Sequence, residues 1–384
     1  MWDVIIAGAG PAGSIAATVL ARAGARVLLV DRSRFPRDKM CGDCLNPGAL
    51  ALLARLNLPN WIDAHGLSTD GWLVTGPGGA RVEGWYPRGL RGRAVTRRDL
   101  DYWLLREALR AGAHFEEGVV VCRALTESAG NGTDSVRVNG VVVRSRDHRD
   151  MALKARVTIA ADGRRSPLAF GLNLAAHPVR PRRWAIGAYF ENVVGNSTLG
   201  EMHIRTDGYV GVAQLPDGLT KVCAVASPAN FTNIRNPARA LADVIDRHEH
   251  LRDRFAQSRI ATRPVVLGPL AIDAKAAGVQ GLLLAGDAAG FIDPMTGDGL
   301  FFAMRGGELA ADAALDALAT GNPDAHIGLA RQRRRAFTQK WRLNRVLRRV
   351  VDCPTALSVA GLAASIVPAF VRTLVVAAGD CEYG

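Results

Sequence analysis

The chain contains no internal repeat and no low-complexity segment, which excludes repeat architectures and long disordered linkers. Its C-terminal apolar run, residues 356–371 (ALSVAGLAASIVPAFV), is sixteen residues long, is interrupted by Pro368 and is followed by Arg372. A membrane-spanning helix needs roughly 20 apolar residues, so no span is expected there. The N-terminus is apolar but has no basic leader, and a βαβ pattern uses its hydrophobicity, so no signal peptide is expected. Cysteine is scarce, at six in 384 residues, and Cys122, Cys223, Cys353 and Cys381 are scattered. That spacing argues against a disulfide framework and for a reducing cytoplasm. Cys41 and Cys44 form a C-x-x-C pair, but no second pair at ligand spacing follows, so no metal site is expected.

Acidic residues are missing from one segment in particular. Between Arg331 and Arg349 there are nine Lys/Arg and no Asp/Glu, so this stretch carries most of the net charge of +12. A basic helix of this kind touches nucleic acid, an anionic membrane surface, or only water. No nucleic-acid-binding module accompanies it, so nucleic acid is not an expected partner. A solvated helix with its apolar side on the body is the plainer reading. The apolar run that follows adds weight to peripheral membrane contact, and it also suits a helical lid over an active site.

What the chain does have is concentrated at its start, MWDVIIAGAGPAGSIAATVLARAGARVLLVD. Val4 to Ala7 reads as an apolar strand, and Gly8, Gly10 and Gly13 fill a G-x-G-x-x-G turn. Gly8 permits the tight turn, Gly10 lets the backbone approach a pyrophosphate, and Gly13 lets the helix pack closely on the sheet. Pro11 and Ala12 open that helix, whose N-terminus presents free N–H groups to phosphate. Arg26 to Val30 reads as the second strand, with Asp31 at its end placed to accept from ribose hydroxyls and Arg32 next to it. With both strands and the acidic residue in place, this is a dinucleotide-binding unit.

Two further pieces follow. VTIAADGRRS is a strand ending in Asp162-Gly163, with Ser166 just beyond. Residues 281–303 run strand, Gly286-Asp287, loop, a glycine turn from Pro294 through Gly297 and Asp298 to Gly299, then a helix from Leu300. Asp287 after an apolar strand can hold sugar hydroxyls. Gly297 and Gly299 let backbone N–H groups approach a flat, electron-accepting ring and stabilise negative charge on it.

These three pieces, in this order, resemble the flavoprotein monooxygenase superfamily, which includes the para-hydroxybenzoate hydroxylase and geranylgeranyl reductase types. The resemblance covers residues 1 to about 310. It implies FAD, with Asp287 on the ribityl chain and the Pro294–Gly299 turn against the isoalloxazine ring. It also implies a cofactor contact from the arginine that starts TRRDLDYWLLREAL, best matched by Arg97 with Arg98 its neighbour. NAD(P)H would bind transiently, because there is one dinucleotide fingerprint and no dedicated second domain. The stretch from Pro36 to Cys41-Gly42 resembles the geranylgeranyl reductase branch, where it lines the flavin and substrate site. From the residues alone, Cys41 and Cys44 remain either a redox dithiol or unreactive packing thiols.

Other residues point away from that branch. GYVGVAQLPDG (208–218) keeps Tyr209 and Pro216 of the reductases' aromatic Tyr-x-Trp-x-Phe-Pro motif but has no Trp or Phe. The Trp-x-Trp-x-Ile-Pro signature of flavin halogenases is absent, and the five lysines match no family position. The expected fold is α/β: a Rossmann-type FAD-binding domain (1–70, 97–180, 276–330), an inserted antiparallel β-sheet substrate domain (71–96, 181–275), and C-terminal helices (331–384). A helix is expected over Pro47–Leu56, and loop tips at Asn131–Ser135 and Ser145–Asp150.

The expected chemistry is hydroxylation of a hydrophobic aromatic or polyketide-like substrate by NAD(P)H and O2, through a flavin C4a-hydroperoxide. Reduction of an isoprenoid C=C bond is the alternative. Pro294, Tyr209 and Cys41 are the expected catalytic positions, with His177 and His203 as further candidates for a base. The expected location is the cytoplasm, with membrane association through the basic segment as the alternative.

Overall fold

The computed structural model describes residues 1–40, 42–128, 136–145, 147–179, 183–292, 294–352, 373, 375–377, 379 and 381. Cys41, the Asn131–Ser135 loop and the 356–371 run lie outside the described residues.

The strand Trp2–Ala7 lies in the middle of the first sheet, with Val27–Asp31 and Asp150–Ala160 parallel on either side; Ile6 pairs with both Leu29 and Ile159. Val4, Ile5, Ile6 and Ala7 are all fully buried, as a strand covered on both faces must be. Leu282–Leu284 and His114–Glu117 extend the parallel order outward, and the hairpin 120–128/136–144 folds antiparallel onto Asp150–Ala160. On one face lie the first helix Pro11–Arg22, the helix Arg97–Arg110 and the long helix Gly299–Thr320. The contact is close: a Cβ on Gly307 would sit 2.1 Å from the Ala12 carbonyl oxygen. Glycine at 307 therefore lets the long helix pack with its backbone directly against the first helix.

The second sheet runs 259–260, 184–191, 220–226, 208–214, 199–205, 71–75, 81–85. Alternation sets its two faces. Ile186, Ala188, Val210, Val212, Val222 and Ala224 pack under the helices Pro237–Asp246 and Glu249–Phe255. Ala185, Met202, Tyr209 and Val225 face the other way, toward Phe291 and Met295.

Two details differ from expectation. Gly71–Thr75 runs parallel to Leu199–Arg205, so the sheet is mixed; the two strands come from distant segments and meet without a hairpin. Gly92–Ala94 does not join this sheet but pairs with Cys44–Leu45 and Leu67–Thr69 in a small third one. The helix expected over Pro47–Leu56 spans Pro47–Arg55, with the Asn46 side chain capping Ala49 N–H. The basic helix Ala325–Asp352 packs on Gly299–Thr320. Among the described residues, no helix is long and apolar enough to cross a membrane.

Candidate active site

The three glycines of the first turn are held for different reasons. Gly8 has φ +97°, and a Cβ on it would lie 2.4 Å from the Ala161 carbonyl oxygen. A Cβ on Gly13 would lie 1.8 Å from the Gly8 carbonyl oxygen. Gly10 is different: its φ of −75° suits any residue, and its Cβ would meet only the Arg37 guanidinium, 3.6 Å away. No protein contact demands glycine at 10, which leaves the open space in front of it as the reason. The first helix begins there with no side chain capping it, so its leading N–H groups face that space. Asp31 braces the turn from the second strand, accepting from Ala9 N–H and Ser33 N–H, each at 2.8 Å.

Beyond the turn, Asp162 has both carboxylate oxygens buried, with no hydrogen-bond partner among the described residues. Burial pushes its pKa up to about 6, and the nearby Ser166 hydroxyl offsets only part of the effect. A buried carboxylate without donors is expensive, which marks a place where donors arrive with a ligand. Asp287 lies in the short turn Gly286–Ala289, and Gly286, at φ +57°, sits against Ala12: a Cβ on it would be 3.0 Å from that of Ala12.

A group of cations lines the same cleft. Arg97 grips Asp101 through Nε at 2.7 Å and Nη2 at 2.9 Å, and Arg37 holds the same carboxylate at 2.9 Å. Burial pushes the Asp101 carboxyl up, and the two guanidinium groups outweigh it, leaving the pKa below the usual range. Lys39 is reached by solvent, yet desolvation lowers its pKa; Arg97 and Arg37 add to this, while Asp287 and Asp101 oppose it. Accessibility and loss of bulk water coexist in a concave site, and Lys39 belongs to this one.

Asp43 links the two sheets. It is fully buried, accepts the Arg97 N–H at 2.9 Å and the Tyr189 hydroxyl at 2.8 Å, and is ion-paired with Lys221. Burial, with the Asp43 carboxylate beside it, keeps the Tyr189 hydroxyl protonated far above its usual range. Next to Asp43, the Gly42 turn (φ +72°) comes so close that a Cβ on it would be 3.4 Å from Leu300 Cγ. Burial pushes the Cys44 thiol up to about 12, so it stays protonated at neutral pH and packs rather than reacts.

The second glycine turn is anchored from the C-terminus. Asp298, 2% exposed, accepts from Thr296 Oγ1 at 2.7 Å, Lys340 Nζ at 3.3 Å and Asn344 Nδ2 at 3.5 Å. Arg333 donates to the Ala289 carbonyl at 2.8 Å. Gly297 (φ +68°) lies against Trp72, whose Cζ2 would be 2.7 Å from a Cβ there. Above this turn are Ala185, Met202, Tyr209, Val225 and Leu270, with Trp72, Phe291 and Met295.

The FAD binding domain family matches residues 1–341. The chain belongs to that family. It is an FAD-dependent oxidoreductase, and its relatives agree in kind. A menaquinone reductase of Mycobacterium tuberculosis (strain H37Rv) is 30% identical over 325 residues, covering 81% of this chain and 76% of that one. Digeranylgeranylglycerophospholipid reductase 1 of Methanothermobacter thermautotrophicus is 30% identical over 342 residues, covering 84% and 79%. Among solved structures, the myxobacterial chondrochloren halogenase superposes with a TM-score of 0.80 at 25% identity, covering 89% of this chain and 81% of that one.

The residues fit FAD. The space before Gly10 and the uncapped helix suit a pyrophosphate, and Asp31, Asp162 and Asp287 offer acceptors along one cleft. Gly8, Gly10, Pro11, Ala12, Gly13, Gly163 and Gly286 form the turns that line it, and Arg32 is exposed at its mouth. Pro294 opens the short turn Pro294–Thr296, followed by Gly297, Asp298, Gly299 and Leu300. The Asp298 carboxylate is turned inward to Thr296, Lys340 and Asn344, so its part is to shape the turn. Tyr209 is buried on the sheet face toward Phe291 and Met295. His203 lies on the opposite face, bonded to Thr75 and Glu201, and His177 bonds the Ala271 carbonyl. Neither histidine reaches the glycine turns.

Sequence reasoning missed Arg37, Lys39, Asp43, Asp101 and Lys340. The run PRDKMCGDC held a signal, because its charged residues alternate beside a glycine that takes a positive φ. Lys340 was hidden in what reads as a solvated basic stretch.

Asp162 yields a pH prediction. Its pKa is raised in the folded state from 3.8 to about 6, so the stability it contributes is fully present below 3.8 and is lost as pH rises through 6. At about 1.4 kcal/mol per pH unit, the cofactor-free protein loses on the order of 2–3 kcal/mol across that window. Asp162→Asn removes the loss. Urea melts of the cofactor-free proteins should coincide near about pH 4 and favour the variant near about pH 8. Coincident melts at the higher pH would refute the assignment.

Proposed function

We propose that the enzyme reduces carbon–carbon double bonds in the chain of an isoprenoid lipid. The observation that carries this reading is the pair of relatives at 30% identity over four-fifths of the chain. They are named for reduction of menaquinone and of digeranylgeranylglycerophospholipid, and both compounds carry isoprenoid chains. The wall above the Pro294–Gly299 turn agrees with such a substrate. Ala185, Met202, Val225, Leu270, Phe291 and Met295 offer apolar surface and no charge to an incoming hydrocarbon.

FAD held in this cleft would supply the electron pair, with NAD(P)H as its transient source. The protein's own part is binding and orientation. The Gly10 turn and the first helix would take the pyrophosphate, Asp31 the ribose, and Asp287 the ribityl hydroxyls. Lys340 and Asn344, through Asp298, hold the turn that meets the ring. Arg37, Lys39 and Arg97 make the cleft favourable for negative charge. The apolar wall excludes water from an alkene brought to the ring.

Hydroxylation of an aromatic substrate with O2 is the second reading. The strand Gly208–Gln214 favours it, since it keeps Tyr209 but lacks the Trp and Phe of the reductase motif. One experiment separates the two. Chemically reduced, FAD-loaded protein is incubated without oxygen with a geranylgeranyl lipid, and the product is weighed by mass spectrometry. A gain of two hydrogens per double bond is expected. No gain without oxygen, together with hydroxylation of a phenol in its presence, transfers the protein to the second reading.

A further inference from the structure

The helix Ala325–Asp352 shows two unlike faces. Its inner face carries Arg333, Phe337, Lys340 and Asn344, all buried against the Ala289 and Asp298 turns and the neighbouring helix. Its outer face carries Arg331, Arg334, Arg335, Arg342, Arg345 and Arg349, all exposed. At 100° per residue these six fall within about 100° of the circumference, and at 1.5 Å per residue they extend for about 27 Å. The only acidic residue in the helix is Asp352, at its end.

Several arginines elsewhere on the molecule are held by a neighbouring carboxylate. Arg205, Arg239, Arg252 and Arg259 each pair with a carboxylate nearby. None of the six pairs with a described acidic residue. A row of like charges without counter-charge costs self-repulsion, which a matching anionic surface removes. Two aliphatic side chains share the stripe: Val346, 55% exposed, and Ile327, 42% exposed. No aromatic ring stands on it to stack a base, since Trp341 is half-buried against Phe337. Arginines interleaved with exposed aliphatics suit a headgroup layer with acyl chains beneath it.

We propose that this face docks the enzyme on an anionic phospholipid bilayer. The docked helix is the one that holds the Ala289 and Asp298 turns, so the bilayer lies one helix away from the catalytic cleft. The proposal rests on the helix surface and does not depend on which substrate is reduced.

The test is sedimentation of the FAD-loaded full chain with vesicles of phosphatidylcholine, alone or mixed with phosphatidylglycerol, at rising salt. Pelleting is expected with the mixed vesicles only, and it should weaken as salt rises. Each basic residue near an anionic surface contributes about fivefold in partition, so R342E/R345E/R349E should lose about 100-fold or more. FAD content and melting temperature of that variant should match the parent. If it does not fold, R331Q/R335Q, two turns away, should lose about 25-fold. Equal pelleting with pure phosphatidylcholine, or unchanged pelleting of the charge variants, overturns the proposal. Tighter retention on polyuridylate than on the mixed vesicles at equal salt also overturns it and assigns the stripe to nucleic acid.

Discussion

Gly10→Val yields a folded protein that no longer retains FAD, whereas Gly13→Ala, the smaller change, fails to fold well. At Gly10 the backbone is ordinary, and the nearest atom to an added Cβ is the flexible end of Arg37, 3.6 Å away. The branched side chain enters only the space in front of the uncapped helix, where the pyrophosphate must approach the backbone. A drop in FAD affinity of at least about 100-fold is expected, with the unliganded melting temperature near that of the parent. At Gly13 the added methyl falls 1.8 Å from the Gly8 carbonyl oxygen and 3.3 Å from the Ala161 Cβ, both on rigid parts of the sheet and turn. The helix must leave the sheet to accommodate it, at a cost on the order of 3 kcal/mol or more. Denaturation curves and FAD titrations of the two variants check both halves. A Gly10→Val protein that keeps its cofactor sinks the placement of the pyrophosphate.

Asp43→Ala is expected to destabilise the protein by about 3–5 kcal/mol, the cost of breaking a buried ion pair from one side. Asp43 is fully buried and Lys221 nearly so, and the truncation also strands the Tyr189 hydroxyl and the Arg97 N–H. Those partners belong to the second sheet and to the helix Arg97–Arg110, so the loss loosens the joint between the two parts of the molecule. The Gly42 turn beside it, packed on Leu300, loses its footing next to the second glycine turn. FAD retention should fall together with stability. The double variant D43N/K221M removes both charges and should recover all but about 2 kcal/mol, because a neutral pair of similar size has no charge to desolvate. Unfolding of Asp43→Ala within about 1 kcal/mol of the parent would show that the pair is not what joins the two parts.

The family likeness and the cofactor were legible in the sequence because they reside in short backbone patterns. A strand, a glycine turn and a helix start are local, and their residue types follow from backbone conformation and close approach. Gly8, Gly13 and Gly286 occupy conformations or contacts that select glycine. The relation of the second sheet to these turns was legible in part, through the alternation that turns Tyr209 and Val210 to opposite faces.

What only the tertiary structure decided are the pairings between distant charges. Asp43 meets Tyr189 across 146 positions of sequence, and Lys340 reaches Asp298 across 42. No local pattern encodes either contact. A lysine in a basic helix looks the same whether it faces water or a buried carboxylate, and its neighbours in sequence do not distinguish the two. The sequence by itself determined the local frames that receive a dinucleotide, because backbone sterics act over a few residues. The fold decided which charges are buried together around those frames, because desolvation and Coulomb attraction depend on distance in space.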